Sequence, residues 1–241
     1  MHVELSIILP AYREAGALRQ LLPVLKSQVG ELTGSWEILV IDTEQSVDDT
    51  AEVCWSAGVR HLHRTGGNFY GDAMRTGIAA AQGRYIAVMD ADGSHNPSYL
   101  PSLWAHREQY DVVIGSRYVS GGMTENPAIL IAMSYVVNWT FKIAFHLDCK
   151  DVTNSFRLYR AAPLKQLQLE CDNFDLVEEI LIKIINGKAR GTLKEVPVVF
   201  ERRKAGESKR NLVAFAISYF QTLVRLRKFY SEAKREAAGG K

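Results

Sequence analysis

The chain has 241 residues, 47% of them hydrophobic and 23% charged. That is room for one large domain, and too apolar for a disordered or collagen-like chain. Cys54, Cys149 and Cys171 stand far apart with no CxxC pair, which excludes a disulfide scaffold and a structural zinc site and suits a reducing cytosol. The net charge of +2 hides an asymmetry: from Glu201 onward eleven Lys/Arg face four Asp/Glu, a net +7, so residues 1–200 carry −5.

Met1-His2-Val3-Glu4 runs straight into an apolar stretch, which predicts no signal peptide. Leu5–Leu9 reads as a first strand stopped by Pro10, and Leu18, Leu21, Leu22 and Leu25 then recur at helical spacing. Trp36–Ile41 predicts a second strand and Asp48–Ser56 a helix opened by two acids suited to its dipole. A short strand over Val59–His63 leads through the turn Thr65-Gly66-Gly67-Asn68 into a helix over Gly71–Ala81. Arg84–Met89 and Asp111–Gly115 are the fourth and fifth strands; the near-continuous apolarity of Arg84–Met89 predicts burial on both faces. Short apolar runs alternating with amphipathic ones predict βα units and a mostly parallel sheet.

The second half reads as a helix over Ala128–Phe145, a strand over Phe156–Arg160, a helix over Leu176–Asn186 and a strand over Val196–Glu201. The longest uncharged stretch, Asn126–Phe141, has 16 residues and includes Pro127, Ser134, Asn138 and Thr140. It is shorter than the roughly 20 apolar residues of a membrane span, yet long enough to lie in an interface. From Asn211 to Tyr230 one broad apolar face runs along a predicted helix flanked by Lys209, Arg210, Arg225, Arg227 and Lys228. Such a helix docks on the domain, pairs with a second copy of the chain, or lies on a membrane. A basic tail on an acidic body points to phosphates or anionic lipid as partners.

In an open parallel sheet, ligands bind outside the carboxyl ends of the strands. Pro10, Tyr12 and Glu14 follow the first strand, Asp42 and Glu44 the second, and Asp90-Ala91-Asp92 the fourth. Carboxylates gathered at one rim repel each other unless a cation or a hydrogen-bond donor shares the site, and a divalent metal with a diphosphate satisfies that need. Asp-x-Asp alone is weak evidence, since eleven Asp in 241 residues give about 0.5 such pairs by chance. Its position straight after a buried strand carries the weight.

Ile7-Ile8-Leu9-Pro10-Ala11-Tyr12-Arg13-Glu14, Met89-Asp90-Ala91-Asp92-Gly93-Ser94-His95 and Val113-Ile114-Gly115-Ser116-Arg117-Tyr118 together resemble the family 2 glycosyltransferases. The branch most similar is that of the dolichol- and polyprenol-phosphate mannose synthases. Asp151-Val152-Thr153-Asn154-Ser155-Phe156-Arg157-Leu158-Tyr159 and Gly206-Glu207-Ser208-Lys209 fit the same branch. The resemblance implies an α/β chain with the GT-A fold, a Rossmann-like, mostly parallel sheet flanked by helices. The glycosyltransferase domain is expected over 1–209 and a basic amphipathic helix and tail over 210–241.

By the same resemblance Pro10, Tyr12, Glu14 and Asp42 would hold the base and ribose of a UDP- or GDP-linked sugar. Asp90 and Asp92 would bind Mg²⁺ or Mn²⁺ and the donor diphosphate. Arg117 would meet phosphate near the reaction centre, with Arg202, Arg203, Ser208 and Lys209 clamping diphosphate or acceptor phosphate. The family usually reads Val-Asp-Asp-Gly-Ser after the second strand where this chain has Ile41-Asp42-Thr43-Glu44-Gln45-Ser46, and the base stays open. No residue from Met123 to Phe141 is basic, although the mannose synthases usually place a basic residue there.

The implied reaction is inverting displacement at the anomeric carbon, with the metal stabilising charge on the departing diphosphate. A phosphate acceptor is already anionic, whereas a sugar hydroxyl needs a carboxylate base, for which Glu179 and Asp151 are the candidates. The basic Arg202–Lys209 loop and the amphipathic helix behind it favour a polyprenyl phosphate; a saccharide hydroxyl is the alternative acceptor. A degenerate, membrane-recruited domain is the alternative of another class. A cytoplasmic protein, peripheral at the membrane and without a nucleic-acid partner, is expected.

Overall fold

The computed structural model describes residues 3–187, 189–201 and 212–239 of the 241. The first half runs β1 (Leu5–Pro10), α1 (Ala15–Leu32), β2 (Trp36–Asp42), α2 (Thr50–Ala57), β3 (Arg60–His63), α3 (Tyr70–Ala80) and β4 (Tyr85–Val88). There follow α4 (Leu100–Trp104), β5 (Val112–Ser116), β6 (Met123–Thr124), α5 (Ala128–Phe145), β7 (Arg157–Arg160) and α6 (Ala161–Lys165). The chain ends with α7 (Leu176–Asn186), β8 (Leu193–Pro197), β9 (Val199–Phe200) and α8 (Leu212–Gly239).

Seven strands form one sheet in the order β3-β2-β1-β4-β7-β5-β8, while β6 and β9 pair separately. All neighbours in the large sheet are parallel except β7, which runs antiparallel to both β4 and β5. The strands are apolar at consecutive positions because both faces are covered. Leu5, Ile7, Leu9, Ile38 and Val40 face one layer with the buried leucines of α1 and with Val53 and Cys54 of α2. Ile8, Leu39 and Ile41 face the other, against Ala73, Met74 and Ile78 of α3. Glycine sets how close α3 approaches: a Cβ at Gly77 would lie 2.6 Å from Ile8 Cγ2, and one at Gly71 2.3 Å from the Cys171 carbonyl oxygen. The parallel order puts the ends of β1, β2 and β4 at one rim.

Two readings of the sequence change. The strand expected over Val196–Glu201 is divided, with β8 ending at Pro197 and β9 leaving the sheet to pair with β6. Pro197 has no N–H to donate, and the next amide, Val198, turns to the Ser116 carbonyl at 3.1 Å. Helix α5 carries one charged residue, Lys142, and at mean hydropathy 1.5 over 18 residues it is long and apolar enough to cross a membrane by length and composition. Its buried residues, Asn138, Phe141 and Phe145, nevertheless pack on the domain.

Helix α8 lies against α7 and α5. Tyr219 contacts Phe141 with rings 6.3 Å apart, and its hydroxyl donates to Glu178 Oε1 at 3.0 Å. Glu178 is fully buried. Burial pushes its carboxyl up to about 8, against the opposing pull of the buried Arg157 guanidinium. The folded protein therefore holds a proton that the unfolded chain releases. The stabilisation is complete below the ordinary value of 4.5 and is lost as pH rises through about 8. Glu178→Gln, which does not titrate, should flatten the fall of melting temperature across that window; an unchanged slope in calorimetry would place the titration elsewhere.

Candidate active site

Backbone geometry brings the strand tips together first. Past β1 the Ala11 amide donates to the Ile41 carbonyl at 2.9 Å, and Arg13 adopts a left-handed conformation at φ 59°. Pro10 is half-buried and Tyr12 is exposed, with the Arg13 guanidinium 5.5 Å from its ring centroid. Glu14 is the residue before α1 and accepts the Leu18 amide through its carbonyl. Asp42, at the end of β2, is fully buried. Its Oδ1 accepts the Thr43 amide at 2.8 Å, and its Oδ2 lies 3.1 Å from His61 Nε2.

The tips are braced by Arg64, a residue sequence reasoning passed over. Its side chain is buried and donates to main-chain carbonyls: Nε to Asp42 at 3.0 Å, Nη1 to Asn68 and Phe69 at 3.1 Å, and Nη2 to Ala11. One guanidinium thus ties the ends of β1 and β2 to the turn before α3. Burial holds its pKa below the ordinary arginine value despite the pull of Asp42 and Asp72. A lone arginine after β3 has no sequence signature for this role; its place just before Gly66-Gly67 was the available hint.

At the tip of β4, Asp90 accepts the Ser155 hydroxyl at 2.9 Å. Asp92, buried, accepts the Ser94 amide and hydroxyl at 2.9 and 2.5 Å. His95 locks the turn between them. Its Nδ1 accepts the Asp90 amide at 2.9 Å, so Nε2 carries the proton and donates to Asn154 Oδ1 at 3.1 Å. Among the described residues no lysine or arginine pairs with Asp90, whose nearest base is His95 Nε2 at 4.0 Å. A carboxylate such as Asp90, without a lysine or arginine counter-charge among the described residues, suits a hard divalent cation.

Arg117 follows β5, and sequence reasoning had weighed Asp151 as a base rather than as its partner. The guanidinium grips the fully buried Asp151 through Nε at 2.8 Å and Nη2 at 2.7 Å, and the Arg117 amide adds a third bond at 2.9 Å. Nη2 also reaches Thr153 and, on α5, Ser134. Nη1 has no acceptor among the described residues. Burial opposes the charge on Arg117, but the Asp151 pair outweighs it and raises the pKa.

Glu179 is not brought to this group. It is fully buried in α7, where it accepts the Glu170 and Cys171 amides at 2.9–3.0 Å and pairs with Lys183 at 2.7 Å. Burial raises its pKa, but Lys183 and the amides outweigh that and leave it lowered. Its carboxylate is therefore committed to the 170–171 turn, a partner set eight or nine residues away that spacing does not reveal. Arg202, Arg203, Ser208 and Lys209 lie outside the described residues.

Residues 6–168 match the family model described as Glycosyl transferase family 2. The chain belongs to this family. The glycosyltransferase is 31% identical over 214 residues to the undecaprenyl-phosphate mannosyltransferase of Micrococcus luteus, covering 84% of this chain and 85% of that one. It is 30% identical to the dolichol-phosphate mannosyltransferase of Pyrococcus furiosus, covering 97% of this chain but 66% of the archaeal protein. Glucosyl-3-phosphoglycerate synthase from Mycobacterium tuberculosis, solved with Mn²⁺, UDP-glucose and phosphoglyceric acid, superposes with a TM-score of 0.72 at 17% identity. That match covers 94% of this chain and 80% of the other, and it shows that the glycosyltransferase has the GT-A fold.

The buried Arg117–Asp151 pair supplies a test. Asp151→Ala strands the guanidinium and should destabilise the protein by about 3–5 kcal/mol in urea unfolding. Replacing both partners, with Arg117→Met and Asp151→Leu, should restore much of that loss; a double-variant loss equal to the sum of the losses of the two single variants would mean that the pair is not coupled.

Proposed function

We propose that this glycosyltransferase moves a hexose from a nucleotide-sugar to a polyprenyl phosphate, with inversion and with Mg²⁺ or Mn²⁺ at Asp90 and Asp92. The observation that carries the choice of acceptor is the commitment of both candidate bases. Asp151 is locked to Arg117 and Glu179 to the 170–171 amides and Lys183. A hydroxyl acceptor needs a carboxylate to take its proton, whereas a phosphate monoester attacks as the anion it already is. The names of the two mannosyltransferase relatives support the same acceptor class.

In this reading Asp42 faces the base, and Pro10, Tyr12 and Glu14 hold base and ribose in a pocket whose walls Arg64 keeps in register. Asp90 and Asp92 would hold the divalent cation, which would supply positive charge against the negative charge that develops on the leaving diphosphate. Ser155 and His95 hold Asp90, and Ser94 holds Asp92, before substrate arrives. Arg117, oriented by Asp151 and Thr153, offers Nη1 to the acceptor phosphate, and Arg202, Arg203, Ser208 and Lys209 supply further positive charge and hydrogen bonding to phosphate.

The lipid tail has a surface to follow. Ser134, one of the Arg117 partners, sits on α5, and from there Val136, Trp139 and Ile143 form an exposed apolar stripe beside exposed Phe220 and Val224 of α8. Lys142, Arg227 and Lys228 are exposed alongside. Basic residues near an anionic leaflet contribute about 1 kcal/mol each. This face therefore seats the enzyme on a membrane surface, with the phosphate end of the acceptor directed to Arg117. The absence of a basic residue over 123–141 is the one observation that favours a saccharide acceptor instead.

Two measurements follow. With each nucleotide-sugar in turn and Mg²⁺ present, polyprenyl phosphate should accept sugar. Asp90→Asn and Asp92→Asn should each lower kcat at least a hundredfold, as removal of a transition-state electrostatic contact does. Transfer to oligosaccharides and none to polyprenyl phosphate would overturn the acceptor assignment. Trp139→Glu should weaken sedimentation with phosphatidylglycerol vesicles by about tenfold or more, the value of one buried aromatic side chain; unchanged sedimentation would remove α5 from the membrane face.

A further inference from the structure

Beside the donor pocket stands a cluster that the proposed reaction leaves unused. Strand β3 reads Arg60-His61-Leu62-His63, and the two-residue period of a strand puts both imidazoles on one face. Parallel register sets Asp42 of β2 opposite His63. One ligand atom from each of Asp42, His61 and His63 lies within 4.8 Å of the others. His61 Nε2 and Asp42 Oδ2 are 3.1 Å apart, close to the roughly 3.3 Å edge of a tetrahedron with metal–ligand bonds of about 2.0–2.1 Å. The two rings stand 4.9 Å apart at 88°, so neither blocks the other's nitrogen.

The hydrogen bond of His63 fixes its tautomer. Nδ1 lies 2.7 Å from the Thr43 carbonyl, which only accepts, so Nδ1 carries a proton and, in the neutral ring a metal would bind, Nε2 offers the lone pair. A ring N–H anchored to a backbone carbonyl is the outer-shell arrangement that orients metal-ligating histidines. His63 is exposed and provides the path of entry. Cys54, electrostatically coupled to Asp42, adds no thiolate, because burial pushes its thiol up to about 12. Three protein ligands and a position open to water result.

We propose that Asp42, His61 and His63 form a second metal site, taking Zn²⁺ or a similar borderline ion, whose occupation blocks the donor pocket. Imidazole nitrogens favour Zn²⁺ over Mg²⁺, whereas the oxygens of Asp90 and Asp92 suit Mg²⁺ or Mn²⁺, so ligand chemistry separates the two sites. The blocking effect rests on the proposed contact of Asp42 with the donor base, because the ion and the base compete for the same carboxylate. Binding replaces the proton shared by His61 and Asp42, which leaves to solvent.

The test is Co²⁺ titration of the full chain in excess Mg²⁺, followed by visible absorption, in wild type, His61→Gln and His63→Gln. Low-coordinate cobalt bands should appear in the wild type. The dissociation constant should rise in each variant by at least the tenfold that loss of even an outer-shell partner produces, with melting temperature unchanged for the surface variant His63→Gln. UDP- or GDP-hexose should displace the ion. Absent bands, or bands indifferent to both histidines, would overturn the site. Bands that need both histidines yet ignore every nucleotide-sugar would sustain the ion site and overturn its control of the donor. That last result would trace the failure to the base contact of Asp42, not to the ligand set.

Discussion

Parallel pairing of β1 with β2 and β4 delivers three strand ends to one rim, and this sequence places an aspartate at two of them. Acids brought together in this way repel unless something balances them, and the site is arranged around that constraint. Asp42 is held by the Thr43 amide and His61, Asp92 by Ser94, and Asp151 by Arg117. Asp90 has a hydroxyl and a distant imidazole, and no arginine or lysine among the described residues. Asp90, without a lysine or arginine partner among the described residues, is where a cation is most strongly demanded.

Two of the buried arginines, Arg64 and Arg117, are used differently. Arg64 has no carboxylate in its grip; its N–H groups go to carbonyls of three separate segments, so it acts as a brace whose geometry lysine could not reproduce. Arg117 gives one edge to Asp151 and leaves Nη1 without an acceptor among the described residues, which is the basis for its proposed contact with the acceptor phosphate. A guanidinium oriented before substrate arrives loses little freedom on binding phosphate.

A continuous set of contacts links this rim to the face carrying the exposed apolar residues. Thr222 of α8 donates to Asp175, and Arg225 lies 3.7 Å from Glu170. The 170–174 segment is clamped by Glu179 from below and meets α3 through a Tyr70–Phe174 stack at 4.2 Å and the Gly71 amide at 2.7 Å from the Asp172 carbonyl. Helix α3 begins where the Arg64-braced turn ends. Helix α8 and the strand tips thus share one packed path.

Much of this was legible in the sequence, because the signals are local. Apolar runs ended by Pro10 or by Asp42 mark strands and their tips, and α5 and α7 fall where helical patterning placed them. Pairings across the chain were not legible. Nothing near Phe156–Arg160 says that β7 inserts antiparallel between β4 and β5, and nothing near Asp151 names Arg117 as its partner 34 residues away. His61 and His63 became a cluster only when β3 was placed beside Asp42. The central claim is that a divalent cation at the strand tips holds the donor diphosphate, and thermal-shift titration with UDP-, GDP- and TDP-sugars tests it most directly, each with Mn²⁺ and with EDTA. One nucleotide-sugar at a hundred times its dissociation constant should stabilise the protein by about 2.7 kcal/mol with the metal and far less without it. Equal shifts in Mn²⁺ and EDTA, or no shift with any donor, would contradict the account.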